Sequence, residues 1–252
     1  MVPSMTGVRG DGRGPGDVRP IEIQAGFLRH PEGSASIRLG NTWVICAATV
    51  ESRQPPFLRD GTQGWVTAEY GMLPRSVGTR AMRGRPSGRD MEIQRLIGRS
   101  LRAVTDLKGL PLHTITLDCD VIEADGGTRA AAITGAFVAL CEACRWMVRE
   151  GRIRQVPVRG QVAAISAGLV RGRTLCDLCY AEDSEATVDL NMVMTDDGRL
   201  VGVQAAAETE PVPAETLDGL LALARAGLVR LFTAQREALG LPPAGPFEVR
   251  AR

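Results

Sequence analysis

The sequence predicts an α+β fold, mixed β-sheets packed with helices, on three observations. Strand-like alternation opens the chain as hairpins around glycine turns. Helical periodicity of three and four follows, and this order of strands and then helices occurs twice. The 252 residues are 44% hydrophobic and 23% charged, enough to bury a large core and too apolar for wholesale disorder. A single domain over residues 1–252 is expected, with flexible tails at 1–8 and 241–252. The repeated order is compatible with an internal duplication, although the two halves share no convincing sequence.

Each element has its own local signal. Ile21 and Ile23 alternate with polar neighbours. Ser34 to Leu39, the turn Gly40-Asn41 and Thr42 to Val50 make a hairpin of two runs rich in β-branched residues. After a loop with Pro55-Pro56, Trp65 to Tyr70 reads as a strand. Pro74 to Gly88 has no periodicity; it carries Arg75, Arg80, Arg83 and Arg85 among the breakers Gly78, Gly84 and Pro86, so a flexible basic loop is expected. A helix follows from about Asp90 to Leu107, with Ile93, Leu96, Ile97, Leu101 and Val104 on one face. Thr114 to Glu123 is a strand, Ala124 to Gly127 a loop, and Thr128 to Arg149 a long helix. Beyond Gly160 come strands at Val162 to Val170, Thr174 to Tyr180, Thr187 to Met194 and Leu200 to Gln204, with turns at Arg171-Gly172-Arg173 and Asp197-Gly198. A last helix runs from about Ala214 to Leu239, before a tail with Pro242, Pro243 and Pro246.

Thirty basic residues against 29 acidic ones leave a net charge of +1, which excludes a globally basic nucleic-acid coat. Lys108 is the only lysine, a bias that a GC-rich genome produces without functional pressure. Met1 to Pro20 has no apolar stretch resembling a signal sequence, and Ala130 to Cys141 is short of the ~20 residues a bilayer span needs. A cytoplasmic protein with no membrane partner is expected. Cys141-x-x-Cys144 and Cys176-x-x-Cys179 have the look of a split zinc site. On a strand, however, Cys176 and Cys179 point to opposite faces and cannot close one tetrahedron, so buried reduced thiols are expected instead.

Three constellations carry chemistry. Asp125-Gly126-Gly127-Thr128-Arg129 stands where a strand ends and a helix begins. Two glycines allow close backbone approach, the helix start offers free N–H groups, and Thr128 and Arg129 add a hydroxyl and a forked cation, a set matched to phosphate. The alternative is a tight turn with Thr128 as an ordinary N-cap. Asp177, Asp183 and Asp189 are spaced by six residues, so on an extended strand Asp177 and Asp183 share a face and can meet at one Mg²⁺. The alternative there is a solvated acidic strand end. Between Arg75 and Arg102, eight arginines face only Asp90 and Glu92, a local charge of +6 that fits a nucleic-acid backbone. Arg89, at the helix start, is placed to join Arg129 on one phosphate. Arg95, Arg99 and Arg102 read as a solvated, ion-paired face. His30 and His113 belong to no nucleophile–base motif, which disfavours acyl transfer.

The chain resembles the ribonuclease PH family of phosphate-dependent 3′ exoribonucleases. The resemblance rests on Asp11-Gly12-Arg13, Val18-Arg19-Pro20, Glu32-Gly33-Ser34, the run from Gly64 to Ser76, Met91 to Ile97, Leu117 to Val121, Ala124 to Arg129, and Glu182-Asp183-Ser184. It implies phosphate held by Arg89, Gly127, Thr128 and Arg129. It implies a metal, Mg²⁺ or Mn²⁺, on Asp177 and Asp183, these two aspartates and two arginines being catalytic. It further implies RNA met by Arg75, Arg80 and Arg83, a homohexamer built as a trimer of dimers, and tRNA precursors trimmed at their 3′ ends with inorganic phosphate as co-substrate. A catalytically silent RNA-binding ring subunit of the same superfamily is the alternative. Cys179, Asp90 and Ala205-Ala206 depart from the family's usual residues.

Overall fold

Hairpins build the first sheet. In the computed structural model, which describes residues 9–58, 61–84, 86–208 and 210–249, β1 (Ile21–Ala25), β2 (Gly33–Leu39) and β3 (Thr42–Glu51) run antiparallel. The turn Gly40-Asn41 joins Leu39 directly to its partner Thr42, with Gly40 at φ +58°. β4 (Trp65–Met72) lies parallel to β5 (Thr114–Glu123), and the helix α1 (Gly88–Ala103) is the crossover between them. The sheet order is β1-β2-β3-β5-β4. The second sheet is antiparallel, in the order β7 (Arg173–Cys176), β6 (Val162–Val170), β8 (Ala186–Thr195), β9 (Leu200–Ala207). A short helix α3 (Tyr180–Asp183) precedes β8, and α4 (Ala214–Ala238) closes the fold.

The α+β expectation therefore holds, and α2 (Thr128–Arg149) explains how the sheets are joined. It packs on β2 and β3 of one sheet and on β6 of the other. Enclosed in this way, it is apolar all round rather than amphipathic. By length and composition it could span a bilayer, contrary to the reading of its shorter run Ala130 to Cys141, but 83% of its apolar window is buried inside the protein. Contact is closest at Gly33, where an added Cβ would stand 2.2 Å from the Ala139 carbonyl oxygen and 2.4 Å from the Ala143 nitrogen. Both are backbone atoms that cannot swing aside. Gly33→Ala is expected to cost about 1–3 kcal/mol by overpacking, and a thermal melt should show Tm lower by roughly 3–10 °C.

Several boundaries differ from the sequence reading. α1 starts two residues early because Ser87 caps it, and the Asp90 carboxylate accepts in return from the Ser87 amide at 2.7 Å. It stops at Ala103, and Leu107 falls in a separate 3₁₀ turn, 107–109, capped by Asp106. The strand expected over Thr174 to Tyr180 ends at Cys176; Asp177 turns left-handed at φ +53°, and Tyr180–Asp183 is helical. The segment 241–249, expected as a flexible tail, is docked. Phe247 meets Phe137 at 5.6 Å between ring centroids, Val249 is buried, and Arg236 donates to the carbonyls of Pro242 and Gly245. The other expected tail, 1–8, residues 250–252 and Arg85 lie outside the described residues. Burial pushes the thiols of Cys144 and Cys176 up to about 12, so both stay protonated.

Candidate active site

The strand-to-helix junction at the end of β5 forms one wall of a cleft of about 290 Å³. Gly126 and Gly127 both have positive φ, +76° and +69°, and Gly127 is the N-cap of α2. Among the described residues, no side chain caps this helix start. Gly126 must also be small: a Cβ there would lie 2.6 Å from the Leu178 carbonyl oxygen and 2.8 Å from the Cys179 carbonyl carbon. The turn is thereby pressed against the chain that leads into α3. Asp125 fastens it further, accepting from the Tyr180 amide at 3.1 Å and from Asn41 Nδ2 at 3.1 Å.

Arg89, Thr128 and Arg129 line this cleft together with Gly127. Arg89 sits in the first turn of α1, exposed, with no hydrogen-bond or ion-pair partner among the described residues. Arg129 is steadied by Gln204 of β9, to which its Nη1 donates at 3.0 Å; Gln204 in turn donates to Glu92 at 3.2 Å. That relay ties α1, α2 and β9 together around the cleft. Thr128 Oγ1 accepts from the Tyr70 hydroxyl at 2.9 Å. Burial raises the Tyr70 pKa, so the phenol remains a donor. The Thr128 hydroxyl proton is consequently directed elsewhere.

The opposite wall is acidic, but its residues are not the expected pair. Asp183, at the end of α3, and Asp189, on β8, line the cleft. Partial desolvation raises the pKa of both, and the charge of Asp183 raises Asp189 further, opposed by Arg129 and the Asn191 hydrogen bonds. Asn191 Nδ2 donates to both Asp189 oxygens, at 3.1 and 3.0 Å, and orients them. Two carboxylates that repel one another in one cleft fit a hard divalent cation that keeps several waters.

Asp177 is a correction. Its carboxylate is buried away from the cleft and gripped by Arg19, whose Nε donates to Oδ2 at 3.0 Å and whose Nη2 donates to Oδ1 at 2.8 Å; the Arg19 amide adds 2.8 Å to Oδ2. Burial works against the Arg19 charge, yet the hydrogen bond and charge of Asp177 hold its pKa above the ordinary value. The reason is conformational. Even spacing aligns side chains only along a strand, whereas the chain leaves the sheet after Cys176 and the helical turn at 180–183 reorients Asp183. The same six-residue interval does bring Asp183 and Asp189 together.

Arg75, Arg80 and Arg83 lie exposed on the loop from β4 to α1. Its first half is anchored, since the Ser76 carbonyl accepts from the Ala124 amide at 2.9 Å, and Val77 reaches the cleft. The basic loop thus leaves from the mouth of the site and returns at Arg89. A larger cleft of about 560 Å³, beside Arg9, Arg171, Glu182 and Glu185, is lined by charges already paired with each other as Arg9–Glu182 and Arg171–Glu185.

Family models match both halves of the chain. The 3′ exoribonuclease family, domain 1, matches residues 17–145, and domain 2 of the same family matches residues 160–227. The chain belongs to the ribonuclease PH family of 3′ exoribonucleases. Among solved structures, it is similar to rice (Oryza sativa) Rrp46, at 20% identity and TM-score 0.75 over 90% of this chain and 98% of that one. It is also similar to a chain of the Archaeoglobus fulgidus exosome with RNA bound to the active site, at 22% identity and TM-score 0.75 over 88% and 91%. An archaeal exosome core chain matches at 20% identity and TM-score 0.73 over 92% and 91%. These likenesses establish the ribonuclease PH fold. The sequence points to Tyr70 and Asp189 but not to their partners, and it singles out neither Asn191 nor Gln204. Asp189 and Asn191 did carry a signal, since residues two apart on a strand share a face.

Proposed function

We propose that this ribonuclease PH-family protein is a phosphate-dependent 3′–5′ exoribonuclease that trims the 3′ ends of RNAs, tRNA precursors among them. The observation that carries this reading is the pairing, across one cleft, of two arginines and an uncapped glycine turn with two mutually repelling carboxylates. Arg89, Arg129, the Thr128 hydroxyl and the turn would hold inorganic phosphate. Asp183 and Asp189 would hold Mg²⁺ or Mn²⁺, which supplies neutralisation of the scissile phosphate and the leaving oxygen. One oxygen of inorganic phosphate attacks the last internucleotide phosphorus, and the bond to the 3′ oxygen of the preceding nucleotide breaks. That oxygen takes a proton, and a nucleoside 5′-diphosphate is released. Both reactants are anionic, so the arginines serve chiefly to bring them together, and no side-chain nucleophile is required. A phosphate ester is exchanged for a diphosphate, so excess nucleoside diphosphate should drive the reaction backwards.

RNA would approach along Arg75, Arg80 and Arg83, and assembly would be a homohexameric ring, a trimer of dimers. The solved relatives favour a second reading, a ring subunit that binds RNA without turnover, since exosome chains figure prominently among them. Against it stand Arg89 and the two cleft carboxylates Asp183 and Asp189, none of which makes an ion pair among the described residues. Incubation with a tRNA carrying extra 3′ nucleotides, with and without phosphate, separates the readings. Nucleoside diphosphate formed only with phosphate supports the proposal. Monophosphate would mean hydrolysis, and retained binding without product would mean the silent subunit.

A further inference from the structure

The buried pair Arg19–Asp177 has no place among the groups that would touch phosphate, yet it lies directly beneath them. Arg19 Nη1 donates to the Asp125 carbonyl at 2.5 Å and Nη2 to the Gly126 carbonyl at 3.3 Å. The Gly126 carbonyl also accepts from Thr42 Oγ1 at 2.6 Å. In a trans peptide the N–H points opposite to the C=O of its own plane. With the carbonyls of Asp125 and Gly126 both drawn to Arg19, the amides of Gly126 and Gly127 point the other way. Neither amide has an acceptor among the described residues.

The seat of Arg19 is built for it. A Cβ on Gly40 would stand 2.6 Å from Arg19 Cδ, and one on Gly127 would stand 3.0 Å from Nη2. Asp177 accepts three donors from Arg19 and keeps the left-handed conformation that aims its carboxylate backwards; its own carbonyl is held by Arg9 and Arg13 at 2.8 and 3.0 Å. We infer that Arg19, oriented by Asp177, is a positioning residue for phosphate. It fixes the two peptide planes of the glycine turn so that their amides face the anion before it arrives. This deepens the proposed function and rests on the cleft's being a phosphate site.

The test is calorimetric titration of the full chain with inorganic phosphate, without RNA, alongside melting curves and KM values for phosphate and for RNA. Arg19→Lys keeps the charge and loses the fork; it should remain folded and bind phosphate about ten-fold more weakly or worse, a loss of some 1.4 kcal/mol, while KM for RNA stays within about two-fold. The double variant Arg19→Met/Asp177→Asn removes both charges, and asparagine tolerates positive φ. It should melt near the wild type and still bind phosphate poorly. Wild-type phosphate affinity in either folded variant, or equal loss toward phosphate and RNA, overturns the inference. Should both variants fail to fold, Thr42→Val frees the same Gly126 carbonyl and should weaken phosphate binding several-fold; unchanged binding overturns the inference. A wild type that binds phosphate without phosphorolysis sinks the enzyme reading alone, and one that binds none sinks both.

Discussion

Arg129→Ala should lower phosphorolysis at limiting phosphate on the order of 10²–10³-fold, the usual effect of deleting one preorganised donor that meets developing or reacting charge. The loss should appear in KM for phosphate more than in KM for RNA. Arg129 stands at the second position of α2, where its guanidinium adds to the amides of the helix start, and Gln204 holds it in place. Arg89→Ala should behave alike, raising the phosphate requirement strongly with little change in tRNA retention, because Arg89 meets the cleft from the start of a different helix. Steady-state kinetics with phosphate and RNA varied in turn read both numbers. Equal loss toward the two substrates would contradict the assigned role.

Asp189→Asn should abolish turnover to a similar or greater degree while leaving RNA bound, and Asp183→Asn should do the same. Asparagine keeps the shape at either position but removes the charge that attracts a cation. Asp177→Asn is not equivalent, since Asp177 answers Arg19 and not the cleft. The pH dependence has a definite sign. The pKa values of Asp183 and Asp189 are raised, so protonation begins at a higher pH than for an ordinary aspartate. The ionised forms bind the cation, so affinity is full above the raised pKa values and is lost as pH falls through them. Activity should therefore show an acid limb above the ordinary aspartate range, and more Mg²⁺ should move that limb to lower pH. An acid limb that ignores Mg²⁺ concentration would count against a metal on this pair.

Most of the architecture was legible because its signals are local. The Gly40-Asn41 turn sets the β2–β3 register, the three-and-four spacing from Ile93 to Leu101 gives α1 its buried face, and the consecutive glycines 126 and 127 mark the turn before α2. Misplaced boundaries cluster where a cap or a distant contact overrides propensity. Ser87 and Asp90 draw α1 forward, and docking of Phe247 onto Phe137 orders a proline-rich end that by composition looks loose. The arginines and the glycine turn were found because each such group is readable at its own position.

The carboxylates were not readable in this way. Three aspartates at equal intervals are indistinguishable in sequence, and their roles differ only by what lies near them in space. Arg19, 158 residues from Asp177 and 106 from Asp125, claims the first and fastens the glycine turn. The helical turn 180–183 then delivers the second into the cleft beside Asp189. By itself, then, the sequence determined the sheets, the helices and the presence of a glycine turn before α2, since these follow from periodicity and backbone conformation over a few residues. Only the tertiary structure decided which acid faces the cleft and which holds the turn from behind, because electrostatic partnership depends on distance through space and not along the chain.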